Sequence, residues 1–306
     1  MKKKKIIIGS RASKLAIIYA QNVKNKIIEN SDLKDDQIII KEIVTKGDQI
    51  KKNRLSEVGG KGLFCKNIEK ELLEGSIDIA VHALKDMPTI ETKGLISKFF
   101  LKRNDPREIL ISRDNIKLMD LKSKSIIGTS SFRREFQIKR LKNDITCKLI
   151  RGNVDTRLKK LREGIYDAII LSLAGIKSLK LEKEITQIFF VDEIIPSAGQ
   201  GIISAQCKEK NLEIIELLNK INDLDTYKCA IAERDVLKVL EGDCETAAGV
   251  NAVIRDKEIT LKAELFSLDG SKRFYKKLTK NIKDFDKIGL AIGKNLKNKS
   301  KGNYKK

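Results

Sequence analysis

VHALKDMP, residues 81–88, closes the apolar run DIAVHAL on a Lys–Asp pair, Lys85 and Asp86, and Pro88 ends the segment two residues later. A short apolar run stopped by proline reads as a buried strand meeting a loop. Open α/β sheets place their ligands there, beyond the carboxyl ends of strands. A carboxylate held at that point beside a cation stabilises a cationic intermediate or moves a proton. Taken alone, the same residues read equally well as a local ion pair at a strand end.

Outward from this segment the pattern alternates between strand-like and helix-like stretches, as α/β units do. KIIIGS (5–10) is the first strand candidate, and Leu15, Ile18, Val23 and Ile27 then fall on one helical face. QIIIKEIVT (37–45), SIIGTSS (125–131) and YDAIILSLAG (166–175) are further strand candidates. A chain of 306 residues has room for two or three domains with real cores. No apolar run approaches bilayer-spanning length, and the basic start followed by IIIG lacks a signal-peptide core, so the cytoplasm is the expected location. The five cysteines (65, 147, 207, 229, 244) form an odd set without metal-ligand spacing, and His82 is the one histidine. Neither a disulfide framework nor a metal site is expected.

A formal net charge of +21 invites a nucleic-acid reading, but its texture opposes one. Lysines outnumber arginines 49 to 14, aromatics are sparse, and no aromatic–basic interleaving offers stacking platforms for bases. Much of the charge reads as solvated surface, including the tail KNKSKGNYKK (297–306), which is expected to fray.

Arginine placement says more. Nine of the 14 arginines fall between Arg103 and Arg162. GTSSFRR (128–134) and RGNVDTR (151–157) each follow a short apolar run, which places Arg133, Arg134, Arg151 and Arg157 on strand-to-helix turns. Ser130 or Ser131 caps the first of these helices. Guanidinium groups grip carboxylates through two parallel hydrogen bonds that lysine cannot imitate. Two such turns facing one cleft, with Arg11 of GSRASKLA (9–16), make a polycarboxylate or phosphate site; the bland alternative is a pair of capped helices with exposed arginines. SEVGGKGLF (56–64) lacks Walker spacing and reads as a mobile loop carrying Lys61 and Phe64, with Phe64 assigned to packing. Cys244, in LEGDCETAAG (240–249), lies in a loop where Asp243 and Glu245 disfavour the thiolate, so on local grounds it reads as inert. The other four cysteines lie in regular segments and read as small buried hydrophobes.

In order along nearly the whole chain, GSRASKLA, TKGD, VGGKGLF, VHALKDMP, NDPRE, GTSSFRR, RGNVDTR, PSAGQG and EGDC resemble the porphobilinogen deaminase (hydroxymethylbilane synthase) family. The resemblance implies two α/β domains like the halves of a periplasmic binding protein, a double crossover hinge and a smaller C-terminal α+β domain. The corresponding limits are 1–101 with 197–220, then 102–196, then 221–306. NDPRE (104–108) marks one crossing and IIPSAGQG (194–201) the return. The implied reaction deaminates four porphobilinogen molecules and joins them head to tail into a linear hydroxymethylbilane. The chain grows on a dipyrromethane cofactor bound by a thioether, and the matching cysteine is Cys244, which reverses the local reading. Asp86 matches the catalytic aspartate. Lys85, Asp48, Thr129, Ser131, Arg133 and Arg134 match cofactor-binding positions, and Arg11, Ser13, Ser130, Arg151, Arg157 and Gln200 match substrate-binding ones. Arginine suits this chemistry because every pyrrole ring carries an acetate and a propionate. A cytoplasmic monomer is implied, with its product passed to uroporphyrinogen III synthase and no metal, nucleic acid or membrane involved.

The chain departs from the family pattern at Asp243, Ala247, Ser178, Ala83 and Glu57, which bears on ring-by-ring affinity more than on reaction class. A non-catalytic anion-binding protein of the same two-domain fold is the competing reading. It explains the arginine turns but gives no reason for Asp86 and Cys244 to sit where they do.

Overall fold

A computed structural model describes residues 5–45, 62–242 and 246–305. The first run comprises β1 (Ile6–Arg11), α1 (Lys14–Glu29), β2 (Ile38–Ile43), α2 (Lys66–Glu74), β3 (Ile79–Ala83) and β4 (Leu95–Phe100). Ser13 caps α1 by accepting from the Ala16 amide at 3.4 Å. α1 buries Val23 and Ile27 as the periodicity predicts, with Tyr19 rather than Ile18 completing the buried face. The second run comprises β5 (Glu108–Ser112), β6 (Ile126–Gly128), α3 (Phe132–Leu141), β7 (Thr146–Lys148), α4 (Val154–Arg162), β8 (Ala168–Ser172), α5 (Leu173–Ser178) and β9 (Gln187–Ile188). The strand expected over 166–175 therefore stops at Ser172, and its last residues open a helix. The chain then returns through β10 (Ile203–Lys208) and α6 (Leu212–Lys220).

The two five-stranded sheets share one plan. The first has the order β2-β1-β3-β10-β4 and the second β7-β6-β8-β5-β9. In each, three strands run parallel, and a strand delivered by the crossover, β10 or β5, is inserted antiparallel. Burial on both faces accounts for the continuous Ile/Val/Ala runs in β3, β5 and β8. The crossovers lie side by side: Leu101 donates to the Ile203 carbonyl at 3.1 Å and Asn104 to that of Gly201 at 2.8 Å. Gly201 has φ +81°, and a Cβ there would run into the Asn104 carbonyl, so the contact demands glycine.

The third unit is α7 (Leu224–Leu240), a meander of β11 (Ala248–Arg255), β12 (Glu258–Phe266) and β13 (Arg273–Asn281), and α8 (Phe285–Ser300). α8 approaches α7 so closely that a Cβ on Gly289 would strike the Ala232 carbonyl. This unit touches both others. Arg103 of the first crossover donates to Glu233 of α7 at 2.5 and 3.3 Å, and Gly199 of the return crossover donates to the same carboxylate at 2.7 Å. On the opposite side Phe266 meets Phe136 of α3 at 5.7 Å between centroids. Two α/β domains with a double crossover and a smaller α+β domain are thus the architecture expected.

One expectation fails. The tail does not fray at 297: α8 continues to Ser300, and Tyr304 is buried with its hydroxyl donating to the Leu240 carbonyl at 3.0 Å. An aromatic body that fills the core beside α7, with a polar tip that finds a carbonyl, anchors the segment against its lysine-rich composition. Lys297 and Lys305 also both reach Glu241, at 2.7 and 2.6 Å.

Candidate active site

Sheet topology brings the carboxyl ends of β1, β3, β6 and β8 to one cleft of about 840 Å³ between the first two domains. β3 leaves its sheet through a tight turn, Leu84–Asp86, held by Leu84 N–H on the Ile202 carbonyl at 3.0 Å and by the Cys65 thiol on the Asp86 carbonyl at 3.7 Å. The Asp86 carboxylate faces Arg11, with 4.0 Å between Oδ2 and Nη1. The Arg11 guanidinium in turn lies 4.0 Å above the Phe64 ring. Phe64, read from the sequence as a packing residue, therefore packs against the guanidinium and lines the cleft.

Lys85 also opens on the cleft, where its ammonium donates to Gln200 Oε1 at 3.3 Å. Desolvation by the surrounding walls and repulsion from Arg134 outweigh the attraction of Asp86, and its pKa falls to about 8. Gln200 is fixed by donating to the Pro106 carbonyl at 2.7 Å, so this contact joins both crossovers to the Asp86 turn.

The second domain supplies the two arginine turns. Ser131, not Ser130, caps α3 by accepting from the Arg134 amide at 3.4 Å. Thr129 does not line the cleft; it is buried beneath the turn, where its hydroxyl accepts from the Ser131 amide at 3.2 Å. Arg133 and Arg134 are only 5% and 8% exposed, and a buried carboxylate that sequence reasoning missed holds them both. Glu108 accepts from Arg133 Nη2 at 2.7 Å and from Arg134 Nη2 at 2.8 Å. Each arginine spends its other terminal nitrogen on a carbonyl, that of Ile195 or Ile170. Burial alone would raise the Glu108 pKa, but Arg134, Arg133 and Lys85 overcome it and hold the group down at about 2.

On the second of these turns, Arg157 donates to the Gly152 carbonyl at 2.8 Å, and desolvation with repulsion from Arg134 and Arg151 lowers its pKa to about 10. Arg151 Nε and Arg134 Nε are both buried without a hydrogen-bond partner among the described residues. Burying donors in this way is costly unless a ligand accepts from them. The structure thus gathers Arg11, Ser13, Lys85, Asp86, Ser130, Ser131, Arg133, Arg134, Arg151, Arg157 and Gln200 around one cavity. Asp48 and Cys244 lie outside the described residues. Of the sequence departures, Ser178 turns its hydroxyl back to the Ala174 carbonyl at 2.8 Å and, like Lys177, does not line the cleft.

Three of the remaining cysteines, Cys65, Cys207 and Cys229, are buried, and desolvation raises their pKa, to about 12 for the last two. No group of His, Cys, Asp and Glu suited to a metal ion occurs among the described residues. No helix among them is long and apolar enough to cross a membrane.

A deep two-domain cleft, lined by guanidinium groups with spare buried donors and by one carboxylate at a strand end, defines an enzyme that handles a ligand bearing several carboxylates. Two family models match the chain: porphobilinogen deaminase, dipyromethane cofactor binding domain, over residues 6–216, and porphobilinogen deaminase, C-terminal domain, over residues 227–298. The chain belongs to the porphobilinogen deaminase family. It is 43% identical over 295 residues to the porphobilinogen deaminase of Geobacillus sp. (strain WCH70), covering 96% of this chain and 94% of that one. It is 38% identical over 291 residues to that of Alkaliphilus metalliredigens, covering 95% and 92%. Among solved structures, the periplasmic aliphatic sulphonate binding protein SsuA from Escherichia coli overlaps at a TM-score of 0.42 and 14% identity, covering 78% of this chain and 70% of that one. That overlap is too loose to add to the topology above.

The cavity fits the cofactor named by the family model. It is large enough for linked pyrroles, and the unpartnered Nε–H groups of Arg134 and Arg151 are donors awaiting carboxylates.

Proposed function

We propose that Asp86 is the catalytic carboxylate of this chain, which deaminates and polymerises porphobilinogen on a dipyrromethane cofactor. The observation that carries the assignment is placement. Asp86 and Asp155 are the two carboxylates lining the cleft among the described residues, and Asp86 alone lies at a strand end facing Arg11. Asp155 is exposed in the first turn of α4.

Loss of ammonia from the aminomethyl group of porphobilinogen leaves an azafulvene cation. Asp86 stabilises the positive charge on the pyrrole, accepts from its N–H, and takes up and returns protons during bond formation. The bound dipyrromethane supplies the pyrrole carbon that reacts. Cys244 anchors it, and Lys85, Asp48, Ser131, Arg133 and Arg134 hold it, with Thr129 acting through the Ser131 amide. Arg11, Ser13, Ser130, Arg151, Arg157 and Gln200 orient the incoming porphobilinogen and the carboxylates of the chain. Their support is the shared cavity and the geometry of guanidinium–carboxylate pairing, which fixes each ring in register.

The domain limits 1–101 with 197–220, 102–196 and 221–306 belong to the same proposal, as do a monomeric state, a cytoplasmic location and delivery of product to uroporphyrinogen III synthase. The test is Asp86→Ala. It leaves a folded protein with the cofactor attached and almost no turnover; near-normal turnover refutes the assignment.

A further inference from the structure

Behind the Asp86 turn lies a buried carboxylate that the reaction described above does not use. Glu69, in the first turn of α2, is 7% exposed, and no ion pair to it occurs among the described residues. Both its oxygens accept hydrogen bonds, Oε2 from Thr92 Oγ1 at 2.8 Å and Oε1 from Gln206 Nε2 at 3.1 Å. Because Gln206 turns its amide nitrogen to Glu69, its oxygen faces His82 Nε2 at 3.2 Å, so that nitrogen carries the imidazole proton. His82 is one of the last residues of β3, three before Lys85, and Gln206 lies on the neighbouring β10.

The chain of contacts thus joins four segments around the Asp86 turn. Burial holds the His82 pKa down at about 4, so the imidazole is neutral and the charge of the network is that of Glu69. The charges of Glu69 and Asp86 both act on Cys65, whose thiol contacts the Asp86 carbonyl and whose own carbonyl accepts from the Glu69 amide.

An unpaired buried carboxylate is costly to a fold, and neutral residues would brace these strands as well. We infer that Glu69 is a positioning residue for the reaction: through Gln206 and His82 it fixes the strand that ends in Lys85–Asp86, and it places a second, desolvated negative charge behind the carboxylate where the substrate cation forms. Charge fixed in a water-poor site favours positive charge as it moves from the departing ammonium to the pyrrole, at no reorganisation cost. This inference rests on the reading of Asp86 given above.

Glu69→Gln tests it, since glutamine keeps the shape, still accepts from Gln206 and donates to the Thr92 hydroxyl in place of accepting from it, but removes the charge. The expected result is a kcat lower by about threefold or more, since only the part of the interaction that grows as the charge moves onto the pyrrole acts on kcat. The KM stays within about twofold, the intact mass still shows the cofactor, and the melting midpoint is unchanged or higher. A merely structural role gives the opposite pattern, a lowered midpoint with kcat per folded molecule unchanged, and overturns the inference. Glu69→Asp, which keeps the charge, recovers most of the rate. A Glu69→Gln chain that does not fold, together with a Glu69→Asp chain whose rate falls only in proportion to its folded fraction, also overturns it. Asp86→Ala measured alongside separates the two levels: an active Asp86→Ala enzyme defeats the reading of Asp86 itself, whatever Glu69→Gln does.

Discussion

Replacing Glu108 by glutamine strips the counter-charge from two neighbouring buried guanidinium groups while leaving the side chain nearly the same size. Glu108 is fully buried and bridges Arg133 and Arg134 at 2.7 and 2.8 Å, so the change leaves both cations facing each other and Lys85 without compensation. The pKa of Glu108 is held at about 2 against an ordinary 4.5, and each unit corresponds to about 1.4 kcal/mol. The carboxylate therefore contributes about 3 kcal/mol to the folded state, within the range seen when one partner of a buried pair is removed. That amounts to roughly 10 °C in the melting midpoint of a protein this size. The sign follows from a depressed carboxyl pKa: the contribution is complete above about pH 4.5 and is lost as the pH falls toward 2. Thermal melts followed by circular dichroism at pH 7 and at steps down to pH 3 measure both quantities. A Glu108→Gln midpoint within 2 °C of the parent at pH 7, or a gap that does not narrow on acidification, refutes the reasoning.

Three other outcomes follow from the same contacts. Arg133→Lys keeps the charge but cannot reach Glu108 and the Ile195 carbonyl together, so the fraction of purified protein carrying the cofactor falls, as intact mass shows. Lys85, with its pKa drawn down to about 8, loses its charge as the pH rises through that value, so assembly of the cofactor on the cofactor-free chain slows above pH 8, as intact mass followed over time shows; in Lys85→Arg the slowing disappears. Gly289→Ala drives a methyl group into the Ala232 carbonyl and forces α8 away from α7, lowering stability by about 1–3 kcal/mol in urea titrations without altering KM.

Much of this site was legible in one dimension because local chemistry marks it. A Pro-terminated apolar run located the Asp86 turn, and two turns after short apolar runs, one of them serine-capped, located four arginines, since caps and strand ends are properties of neighbours in sequence. What escaped were the partners brought in from afar. NDPRE read as a crossing between domains, yet its last residue is the anion that organises Arg133 and Arg134, 25 and 26 residues downstream. Nothing near Glu108 in sequence announces this, because the pairing is made by the antiparallel insertion of β5 beside β8. Phe64 suffered similarly: an aromatic next to glycines looks like packing until Arg11 is placed over its face. The tail was misjudged because lysine density dominated the reading and one tyrosine outweighed it. Cys244 lies outside the described residues; its acidic neighbours argue against a reactive thiol and the ordered set of motifs argues for one.

The central claim is that this cleft serves a covalently held dipyrromethane, and the intact mass of the purified protein beside that of a Cys244→Ser variant tests it most directly. The account predicts an increment of two pyrrole units on the parent and none on the variant, with further increments of one porphobilinogen less one ammonia when the parent meets substrate. A parent at its bare sequence mass that gains nothing on incubation with porphobilinogen contradicts it.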